Sequence, residues 1–227
     1  MNPKIFGTDW ITRIYVGRDV PNEVCEKLLS LPQTECIPLP EEDPDWNGMF
    51  WRFWAISDPD IDVVIFRDTD SRPSTRDSAA VKEWLDSGKT IHIMRDHPYH
   101  TEPMMGGMWG CRAKTTFERI KEHLPFADDM SNITKAWLKD TKTKVLNRTD
   151  KDLNRYTSME MLEGKTIKGV DQLFLRVVIY NIFQGDFHIN DAFPMYNSFS
   201  GVFDEQRYFT SCRSAKKEMT TGFPSGR

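Results

Sequence analysis

Asp62-Val63-Val64-Ile65-Phe66-Arg67-Asp68-Thr69-Asp70-Ser71-Arg72 is the stretch that decides how this chain reads. An apolar, β-branched run passes directly into Asp-x-Asp. Asp62–Phe66 is expected to be a buried strand. In open α/β sheets, ligands sit beyond the carboxyl ends of strands. On extended chain, residues i and i+2 point the same way, so Asp68 and Asp70 are candidates to converge on one cation. Carboxylate oxygens suit Mg²⁺ or Mn²⁺. The same residues also suit a plain turn, because Asp and Ser bond back to nearby backbone. The strand before the motif, and Arg67 and Arg72 on either side of it, favour a ligand site.

Working outward, strands and helices alternate. Ile11–Gly17 reads as a strand and Pro21–Ser30 as a helix with proline at its start. A short strand is expected near Cys36–Leu39, and the aromatic run Trp51–Ile56 reads as helical. Ser78–Ser87 is a helix closed by Gly88, followed by the strand Thr90–Met94. Thr115–Leu124 is a helix stopped by Pro125, and a further helix is expected over about 150–162. Asp171–Phe183 is an apolar helix with Asp171 placed to cap it, and Phe187–Ile189 a late strand. This succession predicts an α/β domain with a mostly parallel central sheet flanked by helices. It is expected to span 1–212, with 213–227 as a basic tail or a linker to a further domain.

Composition sets the outer limits. The chain has 227 residues, 39% of them hydrophobic and 28% charged, which is globular composition. Lys+Arg is 30 against Asp+Glu 34, a net charge of −4, so no general attraction to nucleic acid or anionic lipid follows. A phosphate-bearing ligand must therefore be held locally, by a metal ion, an arginine or a helix N-terminus. Ten of the 21 aspartates fall between Asp43 and Asp96, which makes a cation there the simplest means. No apolar run approaches a membrane span, and the start carries no signal-peptide pattern. Cys25, Cys36, Cys111 and Cys212 form no CxxC pair. They read as reduced thiols of a cytoplasmic, non-secreted protein.

Other stretches carry candidate chemistry. Arg95-Asp96-His97-Pro98 and Gly106-Gly107-Met108-Trp109-Gly110 follow the strand Thr90–Met94. The glycines let backbone approach a ligand closely, and Trp109 offers a face for a sugar ring or is a half-buried loop tryptophan. His92, His97 and His100 have no standard zinc spacing. Asp171-Gln172 opens the apolar helix, as a cap or as a catalytic carboxylate. His188-Ile189-Asn190-Asp191 is a late metal ligand or a surface turn. Arg207, Arg213, Lys216 and Lys217 form a solvated tail or a phosphate clamp.

Together these residues resemble the GT-A fold glycosyltransferases, which hold a divalent metal against a nucleotide-sugar diphosphate with Asp-x-Asp. The likeness runs over about residues 11–195, from Ile14-Tyr15-Val16-Gly17-Arg18-Asp19 through Gly48-Met49-Phe50-Trp51-Arg52-Phe53 to Gly169-Val170-Asp171-Gln172. More narrowly, the set is similar to the glycosyltransferase domains encoded by chlorella viruses, which decorate the viral capsid protein. The resemblance implies a Rossmann-like fold, Mn²⁺ or Mg²⁺ as cofactor, a UDP-sugar such as UDP-glucose as donor, and a glycan or glycoprotein as acceptor. At matching positions it implies that Asp68 and Asp70 bind the metal. Tyr15, Val16 and Arg52 would lie near the base, and Arg72 and Asp96 at the sugar hydroxyls. Gly107 and Trp109 would shape the sugar pocket, with Asp171 and Gln172 at the anomeric carbon. Related sequences often carry a late His-Asp pair, for which His188 or Asp191 is the nearest counterpart here.

Two rivals use the same residues. A haloacid-dehalogenase-like phosphatase also places Asp-x-Asp after an apolar strand, with Asp68 as nucleophile and Gly185-Asp186 with Asp191 as its late acidic motif. Arg72 stands where that family has Thr or Val, and Asp68 lies far from the chain start. A non-catalytic carbohydrate- or nucleotide-binding module suits the tryptophans. It gives no reason for Asp68, Asp70 and Asp171 together.

Overall fold

The computed structural model describes residues 3–39, 48–96, 102–125, 128–146, 169–191 and 207–209. The architecture is mixed α/β with two small sheets. The expected helix near 150–162, His97, His100 and the tail 213–227 lie outside the described residues.

After the short helix α1 (Pro3–Phe6), strands β1 (Thr12–Val16) and β2 (Thr34–Pro38) pair in parallel, joined by helix α2 (Asn22–Leu29). Helix α3 (Gly48–Trp51) continues into a tight 3₁₀ segment, Arg52–Ser57. The second sheet holds β3 (Val63–Phe66), β5 (Trp109–Arg112), β4 (Ile91–Arg95), β6 (Phe187–Asp191) and β7 (Arg207–Phe209), in that spatial order. Strand β5 is antiparallel to both β3 and β4, whereas β4, β6 and β7 are mutually parallel neighbours. Four strands thus run one way and β5 runs against them.

The reversed strand corrects the sequence reading. No strand was expected at Trp109–Arg112, whose first two residues were read as following β4 outside the sheet, yet the segment fills the gap between β3 and β4. Gly110 permits this tight fit, since a Cβ there would lie 2.9 Å from the Val64 carbonyl oxygen and from Ile65 Cγ2.

Both faces of the larger sheet are covered by helices, and strand alternation sorts the side chains. Helix α4 (Thr75–Ser87) packs on one face, where Trp84 and Val81 meet Ile65 and Ala80 meets Met94. Ser74 caps α4 in a reciprocal capping box with Asp77, and Gly88 closes it at φ 72°. The opposite face carries the main core: Phe66, Ile91, Ile93, Trp109 and Ile189 from the strands against Phe50, Phe53 and Phe174. Helix α5 (Ala113–His123) and helix α6 (Met130–Leu146) belong to this layer. The sequence reading assigned no element to α6, although Met130, Ile133, Trp137 and Leu138 have helical spacing.

The apolar helix expected over Asp171–Phe183 is three pieces: α7 (Val170–Phe174), a π-helical turn at Leu175–Ile179, and α8 (Tyr180–Ile182). Its cap is Gly169, at φ 89°, and Asp171 lies inside the first turn. No helix among the described residues is long and apolar enough to cross a membrane.

Candidate functional site

The carboxyl end of β3 is the anchor. Beyond Phe66, Asp68-Thr69-Asp70-Ser71 closes as a turn, with the Ser71 N–H donating to the Asp68 carbonyl oxygen at 2.9 Å. The chain here is not extended, so strand alternation does not bring Asp68 and Asp70 side by side. Asp68, Asp70 and Arg72 are all exposed.

Asp68 is nevertheless held. Arg52 Nη1 donates to its Oδ1 at 2.5 Å and also reaches the Gly106 carbonyl oxygen at 3.4 Å. The Asp68 carboxylate lies directly on Gly107, where a Cβ would fall 2.5 Å from Cγ and 2.7 Å from Oδ1. Asp171 lies on the adjacent Gly106, where a Cβ would be 2.5 Å from its Oδ2. The Gly106-Gly107 backbone is thus the floor on which two carboxylates from distant parts of the sequence meet.

Asp171 and Asp68 differ in environment. Asp171 is buried, and loss of water pushes its carboxyl above the ordinary value near 3.8. Arg52 and the first-turn backbone N–H groups oppose that rise, and the charge of Asp68 adds to it. Gln172, next in the same turn, is half-buried.

Trp51 and Arg52 tie this floor to the first sheet. The Trp51 ring packs on Gly17, just past β1, with Cη2 3.4 Å from where a Cβ would be. Val16 is buried at the end of β1, and Tyr15 meets Trp54 edge-on at 6.2 Å between centroids. Consecutive residues therefore connect the carboxyl end of β1 to that of β3. The role of Trp51 was not singled out from sequence, although its place beside Arg52 was the available signal.

Asp96 directly follows β4 and is buried against Arg76 from the first turn of α4. No sequence spacing announces that pairing, because only the packing of α4 on the sheet creates it.

Three expectations are corrected. Trp109 offers no face to a ligand; it is fully buried, with its ring centroid 4.3 Å from that of Phe66 and 5.5 Å from that of Phe53. His188 is buried on β6, in register with His92, with Nε2 3.6 Å from Glu83 of α4. Asp191 is buried in a two-point ion pair with Arg95, at 2.7 and 3.0 Å. Strand β6 lies three strand positions from β3, roughly 14 Å at the usual inter-strand spacing. Neither His188 nor Asp191 is brought to Asp68. Among the described residues, no group of three or more His, Cys, Asp or Glu is placed to hold a metal ion.

The arrangement offers hard oxygen donors at Asp68 and Asp70, a guanidinium suited to phosphate, and a desolvated carboxyl at Asp171. No protein-family model, curated protein or solved structure matches this chain.

Proposed function

We propose that this protein is a metal-dependent glycosyltransferase of the GT-A type, moving a sugar from a UDP-sugar to a glycan acceptor. The observation that carries the reading is the meeting of Asp68 and Asp171 on the Gly106-Gly107 backbone, with Arg52 between them. One carboxylate is exposed and the other desolvated, which suits two different roles. The architecture is mixed α/β, as the reading requires, with its Asp-bearing strand ending at this point.

The donor chemistry fits Mn²⁺ or Mg²⁺, since Asp68 and Asp70 are exposed carboxylates at the end of an acidic region. Asp68 would hold the ion, with Asp70 close by in the turn that follows it, and the ion would supply Lewis-acid stabilisation of a departing diphosphate. The chain supplies the rest. Arg52 neutralises phosphate charge. The end of β1, with Tyr15, Val16 and Trp51, receives the base. Arg72 and Asp96 serve the sugar, Asp96 being positioned by Arg76. Asp171, with Gln172 beside it, faces the anomeric centre. Its depleted hydration leaves it a stronger base, once ionised, than an exposed carboxylate.

The test is UDP release from a panel of UDP-sugars, with Mn²⁺ and with EDTA. Slow hydrolysis that requires metal and disappears in Asp70→Ala is the expected result. No release from any donor would sink the reading. A covalent aspartyl-phosphate at Asp68 would move the protein to the phosphatases.

A further inference from the structure

Arg52 occupies a place that another cation can take. Its contact with Asp68 is made by one nitrogen to one oxygen. The side chains are 29% and 52% exposed, and exposed ion pairs of this kind add little to stability. Arg95–Asp191 is the contrast: two contacts, with both partners nearly inaccessible. The base of Arg52 is fixed by its position at the start of the 3₁₀ segment, directly after Trp51 on Gly17. Its tip is held by that single contact and by a longer one, 3.4 Å, to the Gly106 carbonyl oxygen.

We propose that Arg52 is an exchangeable counter-ion. In the protein without ligands it neutralises Asp68; when a divalent cation takes Asp68, the guanidinium moves to an anionic phosphate of the nucleotide. This rests on the glycosyltransferase reading above. A guanidinium and a divalent ion repel each other on one carboxylate, so metal alone must displace Arg52. Nucleotide offers the displaced guanidinium a better partner, because arginine bonds phosphate through a matching fork of donors. Metal and nucleotide should therefore bind cooperatively through this one side chain.

Calorimetry separates the two halves of the exchange. MnCl₂ alone is titrated into wild type and Arg52→Gln, and UDP is then titrated at saturating MnCl₂. Arg52→Gln should bind Mn²⁺ alone about three- to tenfold more tightly, since its competitor is gone. The same variant should bind UDP with Mn²⁺ about tenfold more weakly. If Arg52→Gln melts early, Arg52→Met, also uncharged and of similar length, carries the test, with both changes in the same directions and about threefold in size or more. Equal or weaker Mn²⁺ binding by the variants, with wild type still binding UDP only when Mn²⁺ is present, overturns the exchange and leaves the glycosyltransferase reading intact. Wild type that binds neither Mn²⁺ nor UDP overturns both.

Discussion

Gly107 and Gly110 show how one added methyl group can have two different costs. At Gly107 the crowding atoms belong to the end of the Asp68 side chain. A side-chain tip can swing away, so Gly107→Ala should lower stability by less than about 1 kcal/mol. The carboxylate then leaves its place, and UDP binding in Mn²⁺ should fall roughly tenfold or more, because the site depends on position. At Gly110 the crowding atoms include the Val64 carbonyl oxygen, in the neighbouring strand. Backbone cannot step aside without disturbing the ladder. Gly110→Ala should cost about 1–3 kcal/mol. Thermal melts and calorimetry on both variants check the contrast; equal stability losses would contradict it. Sequence suggested that the Gly106-Gly107 pair allowed a close approach, but not that the approaching groups were Asp68 and Asp171.

At the scale of elements, strand pairing and helix packing place charges where no local rule puts them. Strands β4 and β6 are in register at Arg95 and Asp191, which makes their ion pair a buried bolt between parallel strands. Asp191→Leu leaves Arg95 buried without this carboxylate and should cost about 3–5 kcal/mol. Arg95→Met added to Asp191→Leu should recover most of that loss, as urea denaturation of the three proteins would show. No recovery in the double variant would mean that the pair is not the source of the cost. Helix α4 was more legible. Ser74-x-x-Asp77 has the form of a capping box, and Gly88 marks the end. The start of α4 nevertheless lay three residues earlier than expected, because the apolar pattern begins after the cap. The π-helical turn at Leu175–Ile179 was not legible, since apolar residues on every side of a segment do not reveal a change of helical period.

Across the whole molecule, the two faces of the larger sheet are unequal. One is aromatic and apolar. The other, beneath α4, holds His92 stacked on Trp84 at 5.3 Å, with Nε2 2.8 Å from Asn190 Oδ1. Asn190 in turn donates to Glu83 at 2.8 Å, and Glu83 also faces His188. Burial pushes His92 down to about 3, and the nearby charge of Arg67 acts in the same direction. Burial also lowers His188, against the opposing effect of Glu83. The unfolded chain takes up these protons near pH 6.5, while the folded protein stays neutral at His92 until far more acid conditions. Stability should therefore be complete above about pH 6.5 and fall as pH drops below it. For one such histidine the slope is about 1.4 kcal/mol per pH unit. Urea midpoints between pH 7.5 and 5 test this. His92→Leu should flatten the slope, whatever it does to stability at neutral pH. An unchanged slope would show that His92 is not the group responsible.

By itself, the sequence determined the local elements whose signals are short-range. The β-branched run before Asp68, the capped helix that follows it, and the alternation of strands with helices all reflect backbone sterics and apolar spacing within a few residues. The family resemblance added the expectation that Arg52, Asp68, Gly107 and Asp171 serve one site. Only the tertiary structure decided that these four meet, that Asp70 turns away from an extended arrangement, and that Trp109 belongs to the core. It alone placed His188 under α4 and locked Asp191 to Arg95. Long-range strand order settles such matters: the insertion of β5 between β3 and β4 carries Gly106 and Gly107 beneath Asp68 and moves β6 away from it. That insertion depends on contacts between residues far apart in the chain, and no periodicity within β5 records it.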